Sequence, residues 1–357
     1  MTLAAIWREV WRDVVSGTSR TLTFALILAA VVLGLGATDI VTVRALTAAA
    51  ERFQAAGASI ITLDAPGRID PAACSALASV SGVRAAGAIR AGTESLTPLA
   101  LPSSTIPVIE VTPSLPEVLR TQIGSAGVIL SEQAAQTLTV RPGSELQTSE
   151  TTATVAGVYG YPEDGRRPGL GFAALVPTTD GEAFDECWVD IWPTSPQTPA
   201  LLQTTLLPDD ETAAGQNPTL TQLNTTLGTA FDGRSRFDVR VTRLAPWGVL
   251  GIGVGLGYLS VRLRRVPLAS ALHAGTTRQD LGAVVMLETL SWALPATLLA
   301  AVAIVVATKL GGDLDARHTV VLGSRTAVAG MAGPLLGSTF GYALTRERHL
   351  FRYFKDR

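Results

Sequence analysis

Lysine is nearly missing from this sequence: Lys309 and Lys355 are the two examples in 357 residues. A nucleotide-binding P-loop needs a lysine directly after a glycine to reach the β- and γ-phosphates. Neither lysine follows a glycine, so any ATP on which this chain depends must be handled by another chain. Charge of either sign is also sparse. Charged residues make up 16% and hydrophobic residues 47%, a balance that excludes an ordinary soluble enzyme of this length and points to a membrane protein. With 28 Lys+Arg against 30 Asp+Glu there is no basic field to attract a nucleic acid. His273, His318 and His349 are scattered, and the sequence has neither a His-Glu-x-x-His nor a Cys-x-x-Cys pair, which leaves no zinc signature. No carboxylate pair or Ser/His/Asp set stands out either, so the reading contains no catalytic residue, no metal and no cofactor.

What is present is charge-free length. A helix that crosses the hydrocarbon core needs about 20 mostly apolar residues, and four stretches qualify: 21–38, 244–261, 289–308 and 326–345, each bounded by charged residues. Two further charge-free stretches, 191–208 and 212–231, are rich in proline or in Thr, Gln and Asn and read as loops or short soluble helices. Ahead of the first stretch, Leu3, Ile6, Trp7, Val10, Trp11 and Val14 recur at helical spacing with Arg8, Glu9, Arg12 and Asp13 opposite. That is the pattern of an amphipathic helix lying in the membrane interface with two tryptophans at headgroup depth. Such a helix also argues against reading the start as a signal peptide.

The expected order is an interfacial helix (1–20), a first span (21–43), an extracytoplasmic domain (44–243), a second span (244–261) and a cytoplasmic loop (262–282). A third span (283–308), a short external loop (309–325), a fourth span (326–345) and a basic tail (346–357) follow. Residues 1–21, 262–281 and 346–357 hold 12 Lys+Arg, against three in 309–325. The positive-inside rule therefore places both termini in the cytoplasm of a multi-pass cell-membrane protein. Arg234, Arg236, Arg240 and Arg243 fall just outside the second span, where snorkelling explains them.

From Asp39 to Arg243 there are 22 Asp+Glu, 13 Arg and no Lys, an acidic, soluble domain of mixed α/β pattern. Strands are expected at 59–64, 83–89, 108–111, 127–130, 153–158 and 172–176, and helices at 71–80 and 131–138. A Gly/Pro/Arg loop is expected at 160–171, and a helix returning to the membrane at 219–231. Asp180, Glu182, Asp185 and Glu186 read as a solvated acidic loop. Cys74 and Cys187 both lie in this domain, and an exported location permits a disulfide between them.

Three features of the spans and the loop between them stand out. Gly251/Gly255 and Gly253/Gly257 in the second span, and Gly330, Gly333, Gly337 and Gly341 in the fourth, have the spacing that lets helices approach closely. Glu288 is an ionisable group at the start of the third span, within reach of Arg278 or Arg262. The loop between spans two and three runs Arg264-Arg265-Val-Pro267-Leu268-Ala-Ser-Ala-Leu272-His273-Ala-Gly275-Thr-Thr-Arg278-Gln-Asp280-Leu281, with Pro267 suited to a first helical turn and Gly275 to its stop.

This loop resembles the coupling region of MacB/FtsX-like ABC transporter permeases. The matching positions are Arg264, Arg265, Leu268, Gly275, Arg278, Asp280 and Leu281, followed by the pair Leu287-Glu288. Pro267 and Leu272 replace the family's acid and base, and Tyr342-Ala343 stands where it has Pro-Ala. Ser59–Ile89 and Gly127–Thr178 resemble two parts of the family's extracytoplasmic domain. The resemblance implies a homodimer or heterodimer of permeases in the lipid bilayer, bound to ABC ATPase subunits. Arg264, Arg265, Pro267, Leu268, Leu272, His273, Gly275 and Arg278 would then form the ATPase coupling surface. It implies an exporter or extractor, or else a non-transporting signal transmitter that regulates an envelope enzyme or senses a ligand. A membrane-anchored receptor without any ATPase is the rival from outside the family.

Overall fold

The computed structural model describes residues 3–17, 19–208, 217–310 and 316–345, with side chains at 3–6, 310, 316–319 and 322 left aside. The expected basic tail, the His318 side chain, His349, the side chains of Leu3 and Ile6, and positions 311–315 of the expected external loop lie outside the described residues.

In chain order the helices are α1 (Leu3–Val15), α2 (Thr21–Ala55), α3 (Pro71–Ala76), α4 (Leu115–Val118), α5 (Glu132–Leu138), α6 (Thr198–Gln203), α7 (Gly233–Val239), α8 (Ala245–Arg262), α9 (Arg265–His273), α10 (Arg278–Leu310) and α11 (Ala316–Leu344). The strands are β1 (Ile60–Ile69), β2 (Val83–Leu96), β3 (Ile106–Val111), β4 (Val128–Ser131), β5 (Glu145–Gln147), β6 (Thr152–Tyr159), β7 (Ala174–Pro177), β8 (Phe184–Ile191) and β9 (Thr219–Gln222). The chain divides into a helical unit, Met1–Thr47 with Gly233–Arg357, and a sheet unit, Ala48–Asp232.

In the sheet unit the strands run in the order β5-β6-β4-β7-β3-β2-β8-β1-β9. The sheet is mixed: β3/β7 and β4/β6 pair in parallel, the other neighbours antiparallel. Successive residues of a strand face opposite sides, and β8 shows it: Trp188 joins a core with Ile89, Leu115, Tyr159 and Leu175, while Cys187 and Val189 join one with Leu63, Leu77 and Phe184. Gly87 allows α4 to lie against β2, since a Cβ there would stand 2.6 Å from Leu115 Cα. Asp70 caps α3 by accepting from the N–H groups of Ala72 and Ala73, with Pro71 in the first turn. This helix brings Cys74 to Cys187 of β8, and the two are joined by a disulfide with Cα atoms 5.8 Å apart.

Several expectations for this region need correction. Residues 219–231 do not form a helix: β9 occupies 219–222, and the helix comes later, as α7. Thr and Gln carry little periodic signal, and the pairing of Ile61–Asp64 with β9 supplies what the local sequence lacks. Asp185 and Glu186 belong to β8 rather than to a solvated loop. Glu186 pairs with Arg167 and accepts from Trp188 Nε1 at 2.8 Å, while Asp180 and Glu182 bind Arg90. Burial pushes the Tyr161 phenol up to about 12, and that of Tyr159 further in the same direction.

Among the described residues, the helical unit contains three helices long and apolar enough to cross a membrane, within Thr21–Ala55, Val241–Arg262 and Arg278–Lys309. The expected fourth stretch lies in α11, where Gly, Ser, Thr and Pro334 lower the hydropathy. Helix boundaries also differ from the charge-based ones. Helix α2 continues past 43 to Ala55 because Arg44–Ala55 contains good helix formers and no breaker before Gly57, whose φ is +72°. Residues 316–325, expected in a loop, open α11, and α10 begins at Arg278. Phe24, Leu28 and Val32 of α2 pack with Val249 of α8 and with Trp292, Ala293, Ala296 and Ala300 of α10.

Candidate functional site

The corner where α8 turns into α9 and then into α10 holds most of the residues singled out by the sequence. Helix α9 ends at Gly275, whose φ of +92° suits glycine. Its last carbonyls are satisfied by the N–H groups of Ala274, Gly275 and Thr276, which bond to Ser270, Leu272 and Ala271. The next helix starts at once: Thr277 accepts from the Asp280 N–H at 3.2 Å and donates to the Asp280 carboxylate at 2.7 Å, an N-terminal cap. Asp280 therefore has a local reason to be present.

Helix α9 has two faces. Leu268 and Ala269 are buried, and Leu268 packs with Val261 of α8 and Leu281 and Val285 of α10. Ala271 and Leu272 are half-buried against the same cluster. Pro267, Ser270 and His273 are exposed, as are Gly275 and Arg278 beyond the helix, whereas Arg264, Arg265 and Val266 are intermediate. Leu268 of the expected contact surface anchors α9, because its i, i+4 relation to Leu272 puts it on the inward stripe. Ser270, which the resemblance did not mark, lies on the outward one.

Glu288 is buried in α10, and its partner is neither Arg278 nor Arg262. Arg264 pairs with it, and the same guanidinium pairs with Asp13 of α1. The α8–α9 corner turns Arg264 back toward α10, an effect of tertiary folding that linear proximity does not show. Glu288 Oε1 has no hydrogen-bond partner among the described residues. It borders a cavity of about 20 Å³ that is also lined by Ser19, Ser260, Thr289 and Trp292. Helix α1 packs on α10 through Val10 against Val284, with Val14, Ala283 and Leu287 around them, while Trp7 and Trp11 are about 60% exposed. The apolar stripe of α1 is thus divided between protein and surroundings.

Near the middle of α2, where its charge-free stretch ends, Asp39 pairs with Arg240 at 3.0 Å, both side chains being almost fully buried. Arg240 also donates to Phe237 O at 2.7 Å and stacks 3.7 Å over the Phe237 ring. Snorkelling does not describe this residue, since its charge is turned inward onto a carboxylate. The sequence shows Asp39 only as the end of a charge-free stretch and Arg240 only as one of four arginines before the second span, 201 residues apart.

Helices α8 and α11 meet through glycine. A Cβ on Gly257 would lie 2.1 Å from Pro334 O, and one on Gly337 would lie 2.0 Å from Val254 O. Gly253 and Gly333 are similarly crowded, whereas Gly251 and Gly255 meet nothing within 4 Å. Of the two expected pairs in α8, Gly253/Gly257 is the one that serves packing among the described residues.

No family model matches the sequence, and no curated protein matches it. Among solved structures, the chain is similar to the periplasmic region of MacB from Actinobacillus actinomycetemcomitans, at 10% identity and a TM-score of 0.35, covering 48% of this chain and 92% of that one. It is also similar to a domain described as a permease protein from Porphyromonas gingivalis, at 13% identity and a TM-score of 0.31, over 46% of this chain and 90% of the other. A third is the extracellular domain of the noncanonic ABC-type transporter YknZ from Gram-positive bacteria, at 15% identity and a TM-score of 0.31, over 46% and 100% respectively.

Proposed function

We propose that this chain is the membrane-embedded permease subunit of an ABC transporter, with α9 as the contact for a separate ATPase and the sheet unit as its extracytoplasmic domain. The observation that carries this reading is the two-faced α9. A nine-residue helix joins two helices of membrane-spanning type, is anchored by Leu268 on one side, and presents Pro267, Ser270 and His273 on the other. A plain interhelical connection needs no such exposed, fixed face. Four spans, both termini in the cytoplasm and a dimer of permeases complete the proposal, and the substrate would be exported or extracted with ATP hydrolysed on the partner.

The test is copurification. Tagged full-length protein solubilised from its own membrane should bring down an ABC ATPase. Ser270→Trp and His273→Glu, on the outward face, should abolish the association without lowering thermal stability, whereas Leu268→Ser should lower stability first. Unchanged ATPase recovery in both outward-face variants would remove α9 as the contact.

A further inference from the structure

Arg264 stands where three elements meet. It lies in the turn between α8 and α9, and its guanidinium reaches Asp13 in α1 on one side and Glu288 in α10 on the other. The side chains of Arg264, Asp13 and Glu288 are 16%, 17% and 9% exposed. One largely buried cation thus faces two largely buried carboxylates, drawn from positions 251 and 24 residues away in the chain. A buried carboxylate that loses its cation is penalised far more than one at the surface. A displacement of the corner that carries Arg264 must therefore take both carboxylates with it or leave one of them uncompensated.

We propose that Arg264 is a positioning residue that makes the interfacial helix α1 a moving part of the molecule, tied by Asp13 to the α8–α9 corner and, through the same guanidinium, to α10. This rests on the reading of α9 as the receiver of ATPase motion and deepens it: what α9 receives is passed sideways to α1 as well as along α8 and α10. The exposed Trp7 and Trp11 make the movement mechanically relevant, because a helix seated by such side chains at the headgroup level displaces lipid when it shifts. The apolar contact of Val10 with Val284 permits sliding, since it has no directional bond. The ion pairs through Arg264 fix the register.

The experiment uses the full chain in lipid nanodiscs. Nitroxide labels at Arg8→Cys on α1 and Ser270→Cys on α9 give their separation by pulsed electron resonance. A single narrow distribution is expected for the parent, a broad one for Arg264→Gln, and for Asp13→Asn a broad one too. Asp13→Asn acts on the α1 arm and leaves the Arg264–Glu288 pair in place, so it reads the tie even if Arg264→Gln fails to fold. A narrow distribution retained in Asp13→Asn overturns the proposal. In the copurified complex with its ATPase, an environment-sensitive fluorophore at position 8 should respond to ATP in the parent and lose that response in Asp13→Asn. A fluorophore at Leu263, an exposed residue of the α8–α9 corner outside the contact face, should respond in both. An equal response at position 8 in parent and variant also overturns it. Failure to recover any ATPase would instead count against the permease reading and leave the distance measurement to decide the tie.

Discussion

At the scale of single residues, the same amino acid has opposite consequences on the two faces of α8. Gly257→Ala places a Cβ 2.1 Å from the Pro334 carbonyl, so the helices must part, at a cost of about 1–3 kcal/mol or more. Gly255→Ala meets nothing within 4 Å and should be neutral or stabilising by up to ~1 kcal/mol, the helix propensity of alanine over glycine. Thermal unfolding of the two full-length variants in detergent, followed by circular dichroism, checks the sign of the difference. The tyrosines of the sheet unit supply a pH test. An unfolded tyrosine ionises near pH ~10, whereas the buried Tyr161 phenol titrates at about 12. Between those values the folded chain keeps a proton that the unfolded chain has lost. This part of the stability is therefore complete below pH ~10 and is lost as pH rises through the folded value. Alkaline ultraviolet titration should show these phenols ionising late, and Tyr161→Phe should flatten the decline in stability. Residue-scale legibility in the sequence was uneven for a physical reason. Gly275 and Pro267 act on their own backbone and can be read locally, but the partner of Glu288 and the pairing of Asp39 with Arg240 exist only once distant helices pack.

Among the secondary-structure elements, the strands of alternating or β-branched composition were visible in advance. Those whose stability comes from neighbours were not. Strand β8 contains Asp185, Glu186 and Asp190, which argue locally for solvent, yet Cys187, Trp188, Val189 and Ile191 are buried between β1 and β2, and Asp190 bonds Arg84 and Ser59. Strand β9 is an edge of Thr and Gln held by β1. The disulfide binds α3 to β8 across a sequence separation of 113. Restricting so long a loop in the unfolded chain contributes on the order of 4 kcal/mol. Replacing both cysteines by alanine should lower the unfolding free energy of the sheet unit by about that amount, moving its denaturant midpoint down in proportion, while leaving the unfolding of the helical unit in place, as read by Trp188 protection and by helical signal separately. Thr277→Ala should cost about 1 kcal/mol by removing the cap of α10. It should also increase amide exchange over the first turn of α10.

For the molecule as a whole, the division of labour between an apolar helical unit and an acidic sheet unit was legible from charge alone, because the membrane and water select for opposite compositions. The junctions were less so: α2 runs on to Ala55 and α7 falls in the helical unit, since helix formers continue where hydrophobicity stops. The ends of the sheet unit have a further consequence. Strand β1, near its beginning, and β9, near its end, lie side by side with Ile61 opposite Gln222, so the chain enters and leaves this unit at nearly the same point. The sheet unit is in that sense a cassette. A foreign domain whose own termini are adjacent could replace residues 60–222 without stretching or cutting α2 and α7 on either side, and a single in-frame swap would exchange the whole sheet while keeping one set of apolar helices.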